Sequence, residues 1–203
     1  MIIIDGPTGS GKTTTLKELE TLGYKVIPTY TTRPIRAHDF GTIHVEPNEY
    51  NAVFKENKTF ADFKINTAYG EYVWYLNTDD LKKAGNMSAL VGSIKITPTL
   101  AVYANWVLRE PLFKVFLNVD YKTILERTKD FINGDENAIK DRLRRFKKDD
   151  DELQGLKFNA NFVVENRDMG IAPHVVADLI IENYQLFLKE RSVYDEANAR
   201  YHI

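Results

Sequence analysis

The 203-residue chain contains no cysteine. Disulfides, thiolate metal sites and cysteine nucleophiles are therefore excluded together, and the chain suits a reducing cytosol. An excess of charge of one sign is missing too. Lys and Arg total 27 against 29 Asp and Glu, so the broad basic surface that generic nucleic-acid binding relies on is lacking, and any anion recognition must be local. Long apolar runs are also absent: at the amino end only the three isoleucines Ile2 to Ile4 precede Asp5. That is the length of a buried strand, too short for a signal peptide or a membrane span. Neither repeats nor low-complexity tracts occur. These absences lead us to expect a soluble, cytoplasmic protein with no membrane or nucleic-acid partner. Its length suits one domain that buries about 70% of the surface exposed by the unfolded chain.

What is present begins immediately. Gly6, Pro7, Thr8, Gly9, Ser10, Gly11, Lys12 and Thr13 follow the pattern G-x-x-x-x-G-K-[ST], between the apolar run and a helix-like stretch that opens at Thr14. A nucleotide's phosphate tail needs several backbone N–H groups turned toward one point. Glycines permit that turning, and the following helix adds the positive end of its dipole. Lys12 then reaches the β- and γ-phosphates and the Thr13 hydroxyl becomes a Mg²⁺ ligand, with Thr14 part of the same set. The plainer alternative is a Gly-rich turn that binds nothing; the strand-loop-helix context argues against it.

Farther along, Lys25 to Pro28 predicts a second strand, and the aperiodic stretch Thr29 to Asp39, broken by Pro34, predicts loop. Pro47 to Asn57 has helical spacing, whereas the aromatic and β-branched Thr59 to Tyr75 predicts strands or a hairpin of a small inserted lobe. Further expectations are a capped helix start at Thr78, a core strand at Ala89 to Val91, a helix over Pro98 to Leu108 and a strand over Phe113 to Val119. Asp120 is placed to cap the helix that carries Arg127. The charge-dense Lys129 to Asp151 predicts an exposed, salt-bridged helix, followed by a strand at Ala160 to Val164 and a long helix from Ala172 to Glu190. Strands alternating with helices in this order predict a parallel sheet wrapped by helices.

Taken in order and spacing, the phosphate loop, Tyr30-Thr31-Thr32-Arg33-Pro34-Ile35-Arg36, the stretch Arg127 to Arg145 with Asp141-Arg142-Leu143, and Val163 to Asp168 resemble the guanylate kinase family. The phosphate loop is common to many families; T-T-R-x-x-R is far more specific. The resemblance implies an α/β P-loop NTPase three-layer fold with a parallel central sheet. It would be a single domain over residues 1–203, with a core (1–28, 84–125 and 158–203), a monophosphate-binding lobe (about 29–83) and a lid (about 126–157). It also implies ATP and Mg²⁺, and transfer of the γ-phosphoryl to a small-molecule monophosphate acceptor such as GMP or dGMP. By matching position, Arg33 and Arg36 would grip the acceptor phosphate, for which guanidinium forks are suited. Arg127 and Arg142 would close over the transferring group beside Lys12, and Asn166 would contact adenine, although it also reads as a turn residue after a strand.

The acceptor pocket departs from the family's pattern. Thr29 stands near the family's base-contacting serine, and Asp62 takes the place of its guanine-reading glutamate, one methylene shorter. Tyr72 aligns with a phosphate-binding tyrosine only across an insertion. Ser88 to Ser93 lacks the aspartates that the family usually has in this strand. The resemblance also implies two alternatives: through the strand ending Val91-Gly92-Ser93, the related kinase that acts on ribose 1,5-bisphosphate, whose acceptor has no base to read, and the non-catalytic interaction modules that share the guanylate-kinase-like domain. The intact Lys12-Thr13 pair argues against the second. His38 and His44 read as solvated or hydrogen-bonded loop side chains, and most aromatics from Phe60 to Tyr75 as the small lobe's own core.

Overall fold

The computed structural model describes residues 1–35, 39–67, 70–108, 111–131, 136–166 and 171–201. In chain order the elements are β1 (Ile2–Asp5), α1 (Lys12–Thr21), β2 (Lys25–Val26), β3 (Thr29–Thr31), β4 (Thr42–His44) and α2 (Pro47–Lys55). Then come β5 (Thr59–Thr67), β6 (Gly70–Asn77), α3 (Thr78–Leu81), β7 (Ser88–Val91), α4 (Ile96–Tyr103) and β8 (Phe113–Asn118). The chain continues through α5 (Tyr121–Phe131), α6 (Glu136–Lys148), α7 (Asp150–Phe158), β9 (Phe162–Glu165) and α8 (Pro173–Tyr201).

Every residue of β1 is buried. Alternation sends Ile2 and Ile4 to one face, against Leu16, Leu19, Val176 and Ile180 of α1 and α8, and Met1 and Ile3 to the other, against Leu90, Ile96 and Leu100. A strand covered on both faces is apolar throughout, which is why the isoleucine run shows no polar alternation. The central sheet has the order β2-β7-β1-β8-β9, with every neighbouring pair parallel. This is the α/β architecture expected from the sequence. The chain moves from β1 to one edge, returns, and crosses to β8 and β9 on the other side. In sheets wound this way, ligands sit beyond the carboxyl ends of the strands, where the order reverses.

A second, four-stranded sheet has the order β4-β3-β6-β5. Thr29 to Thr31 is therefore strand, correcting the expectation of loop. Its partners, Leu76 opposite Thr29 and Trp74 opposite Thr31, are remote in sequence, so no local period announces it. Helix α3 is capped by Asn77, whose side chain accepts the Asp79 N–H at 2.8 Å, not by Thr78. The helix expected from Pro98 begins earlier, at Ile96, and its last turn, Ala104–Leu108, is π-helical. Asp120 does cap α5, accepting the Thr123 N–H at 2.7 Å. The charged stretch is divided between α5, α6 and the start of α7. In α8 the buried stripe runs through Val176, Ala177, Ile180 and Tyr184, leaving Val175 and Leu186 exposed.

Asp5 ends β1 inside the protein, 3% exposed. Its Oδ1 accepts the Thr97 hydroxyl at 2.8 Å from the first turn of α4. Beside it the Gly92 N–H donates to the Ile4 carbonyl at 2.8 Å. A β-carbon at Gly92 would lie 2.3 Å from Asp5 Oδ1 and 2.4 Å from Thr97 Oγ1. Glycine is needed here for space. Burial pushes the Asp5 carboxyl up to about 7, against the opposing pull of the Thr97 hydrogen bond and the charges of Lys12 and Lys114.

Two outcomes are expected. Gly92→Ala should destabilise the fold by about 1–3 kcal/mol, read from urea unfolding; an unchanged midpoint would mean that the carboxylate and hydroxyl yield without cost. The second concerns pH. The folded acid keeps its proton up to about pH 7, whereas the unfolded acid loses it near 3.8. The folded state therefore binds more protons in that window, and Asp5 makes stability fall as pH rises through it. Asp5→Asn should remove this component when unfolding is followed across pH without nucleotide or metal. Identical slopes in both proteins would assign the effect elsewhere.

Candidate active site

The loop between β1 and α1 has positive φ at Gly6, Gly9 and Gly11, of 142°, 84° and 98°. At Gly6 a β-carbon would also meet the Leu117 carbonyl oxygen at 2.7 Å and Ser10 Oγ at 2.8 Å, so both backbone angle and space require glycine there. Helix α1 begins at Lys12, and by helix geometry the amides of its first turn have no carbonyl partner within the helix. Lys12 folds back over the loop, donating from Nζ to the carbonyls of Gly6 (2.7 Å) and Pro7 (2.8 Å).

Asn166, just past β9, braces the loop from behind: its Nδ2 donates to the Ser10 carbonyl at 2.9 Å. Its own N–H donates to the Asn118 carbonyl at 2.9 Å. Among the described residues, the buried Ser10 Oγ and Asn166 Oδ1 have no hydrogen-bond partner. Arg127 reaches the same loop from α5, with long contacts of 3.4 Å from its guanidinium to the carbonyls of Gly9 and Asn166. Desolvation lowers its pKa, with the charge of Asp120 opposing. Lys12, Arg127 and Asn166 thus converge on the phosphate loop. Thr13 sits at the exposed start of α1.

On the second sheet, Arg33 is buried. Its guanidinium donates to the Pro34 carbonyl at 2.9 Å and to Asp39 Oδ1 at 2.8 Å, and it lies over the Trp74 ring at 5.8 Å. His44 Nδ1 lies 2.6 Å from the Arg33 carbonyl, and its Nε2 is 3.0 Å from Asp39 Oδ2 without the alignment of a hydrogen bond. Thr29 Oγ1 contacts the Gly41 carbonyl and Thr42 Oγ1, both at 3.4 Å. Tyr72 stands edge-on to Trp74. Asp62 lies elsewhere: it accepts the Tyr50 hydroxyl at 3.1 Å, and Tyr50 packs on Tyr75. Successive residues of a strand face opposite ways, so Asp62 belongs to the Tyr75 side, under α2, while Arg33 and Tyr72 share the Trp74 side. The structure does not bring them together. Arg36, His38, Tyr69 and the side chain of Arg142 lie outside the described residues.

Two acids beside these residues escaped the sequence reading. Asp39 holds Arg33, and its only signal was an acid in an aperiodic loop. Asp5 was more visible, as an acid closing an apolar strand directly before the phosphate loop. Among the described residues no group of three or more His, Cys, Asp or Glu side chains gathers to hold a metal ion. A divalent cation at this loop would share its coordination with phosphate oxygens. The Thr13 hydroxyl and the Asp5 carboxylate are hard oxygen donors of the kind Mg²⁺ takes in such a setting.

No protein-family model matches the chain, and no curated protein sequence matches it. Among solved structures, the crystal structure of guanylate kinase from Anaplasma phagocytophilum is similar, with a TM-score of 0.57 at 14% sequence identity, over 92% of this chain and 84% of that chain. At this identity the likeness concerns the fold: a five-stranded parallel sheet flanked by helices, resembling the P-loop fold of a guanylate kinase.

Proposed function

We propose that the chain is an ATP-dependent phosphotransferase of guanylate-kinase type. It would move the γ-phosphoryl of ATP to a nucleoside or deoxynucleoside monophosphate such as GMP or dGMP. The observation that carries this reading is the meeting of Lys12 and Arg127, from two different elements, on one glycine-shaped loop at the carboxyl end of β1. Lys12 exchanges the carbonyls of Gly6 and Pro7 for the β- and γ-phosphates. Arg127, resting on carbonyls at 3.4 Å, exchanges them for oxygens of the group in flight. An oxygen of the acceptor phosphate forms the new bond to the γ-phosphorus as the bridging bond to the β-phosphate breaks and ADP leaves. No protein nucleophile is needed. Magnesium, held in part by Thr13, would neutralise charge on the phosphate oxygens.

Arg33, with Arg36, receives the acceptor phosphate in this reading, the phosphate taking the position of the Asp39 carboxylate on the guanidinium. Arg142 joins from the lid, and the unpaired Asn166 Oδ1 suits an amino N–H donor such as adenine carries. The lobe (about 29–83) and lid (about 126–157) close over the reactants to exclude water. A second reading, phosphorylation of ribose 1,5-bisphosphate, is favoured by one observation: Asp62, the candidate base-reading acid, is bonded to Tyr50 on the side away from Arg33.

ADP formation with Mg-ATP should appear with at least one acceptor in a panel of nucleoside monophosphates and ribose 1,5-bisphosphate; silence from every acceptor would defeat the proposal. The acceptor that turns over chooses between the two readings. Lys12→Ala should lose on the order of 100-fold or more in kcat while remaining folded, and retention of activity would remove Lys12 from the chemistry. Mg-ATP should raise the thermal midpoint of the wild-type chain, an effect that a pure interaction module would lack.

A further inference from the structure

We propose that Asp5 is the carboxylate that orients the water shell of the magnesium ion at the phosphate loop, supplied from β1 in place of an acid on β7. The inference rests on the nucleotide-binding reading above and deepens it. Chemistry on a phosphate tail calls for a carboxylate near the metal, yet Ser88 to Ser93 has none. The carboxylate that is present sits on the neighbouring strand. Val91 pairs with Ile4, Gly92 bonds to the Ile4 carbonyl, and a side chain at 92 would occupy the position of Asp5 Oδ1. Acids at positions 5 and 92 would compete for one volume; this chain fills it from β1 and keeps glycine on β7.

Asp5 directly precedes the loop, and Lys12 Nζ rests on the carbonyl of the next residue, Gly6. Thr97 fixes the orientation of the carboxyl through Oδ1. A merely structural link between β1 and α4 does not require an acid. Asparagine would accept the same Thr97 hydrogen bond without placing an ionisable group in a buried site. The acid already lies within reach of the charges of Lys12 and Lys114, and a divalent cation at the loop would add to them.

That distinction sets the experiment. Asp5→Asn preserves shape and the Thr97 bond and removes the charge. ADP affinity is measured by calorimetry in EDTA, and Mn²⁺ affinity of the protein–ADP complex by electron paramagnetic resonance. Asp5→Asn should bind ADP in EDTA within about twofold of wild type, while its complex should lose tenfold or more in Mn²⁺ affinity, the scale of effect typical of outer-shell ligands. Unchanged Mn²⁺ affinity with intact ADP binding overturns the assignment of Asp5 alone. Failure of the wild-type chain to bind ADP overturns the nucleotide reading instead, and this inference with it. Should Asp5→Asn not fold, the wild-type chain still decides: Mn²⁺ with ADP should broaden the ¹³C carboxyl resonance of Asp5, and a sharp resonance would reject the proposal.

Discussion

Strand β1 has no solvent face, and this constraint governs what surrounds it. Because Ile2, Ile3 and Ile4 bury side chains both upward and downward, helices must cover both sides and parallel neighbours must flank it. The chain leaves the strand at its carboxyl end, at the centre of the sheet. The tight loop that follows is pressed against Leu117 on β8, where a residue with a β-carbon would not fit. The phosphate loop takes its shape from the packing beneath it as much as from its own glycines.

The three described cations of the site share one feature: each is parked on oxygen. Lys12 rests on two loop carbonyls, Arg127 at longer range on the Gly9 and Asn166 carbonyls, and Arg33 on a carbonyl and the Asp39 carboxylate. A buried or half-buried cation without such partners would carry a heavy desolvation penalty. Under the proposed reading, phosphate oxygens take the place of at least one of these acceptors on each cation. The charges would then be partly desolvated and held in place before substrate arrives, which limits the reorganisation left to the reaction.

The second sheet solves a different problem. A small four-stranded sheet has little area to bury, and it gains what it needs from aromatic layers on both faces: Tyr30, Tyr50 and Tyr75 on one, Phe63, Tyr72 and Trp74 on the other. Most of these rings are therefore committed to packing. The Trp74 layer does double duty, since it also carries the Arg33 guanidinium. Any acceptor bound there would meet a site whose floor is aromatic and whose charge is localised.

The sequence by itself determined the features that rest on local pattern. The isoleucine run, the glycine spacing and the lysine after it specify strand, loop and helix start within a few residues, and Asp120 announces its cap by position alone. What only the tertiary structure decided depends on partners far apart in the chain. Thr29 to Thr31 becomes strand because β6 pairs with it, Arg33 becomes buried because Asp39 and Trp74 enclose it, and Asp62 turns toward Tyr50 instead of Arg33. The meaning of Gly92 emerges only beside Asp5, since what a glycine makes room for lies on another strand. Periodicity and turn chemistry are written along the chain, whereas burial, facing and charge pairing arise from contacts between segments that no local window contains.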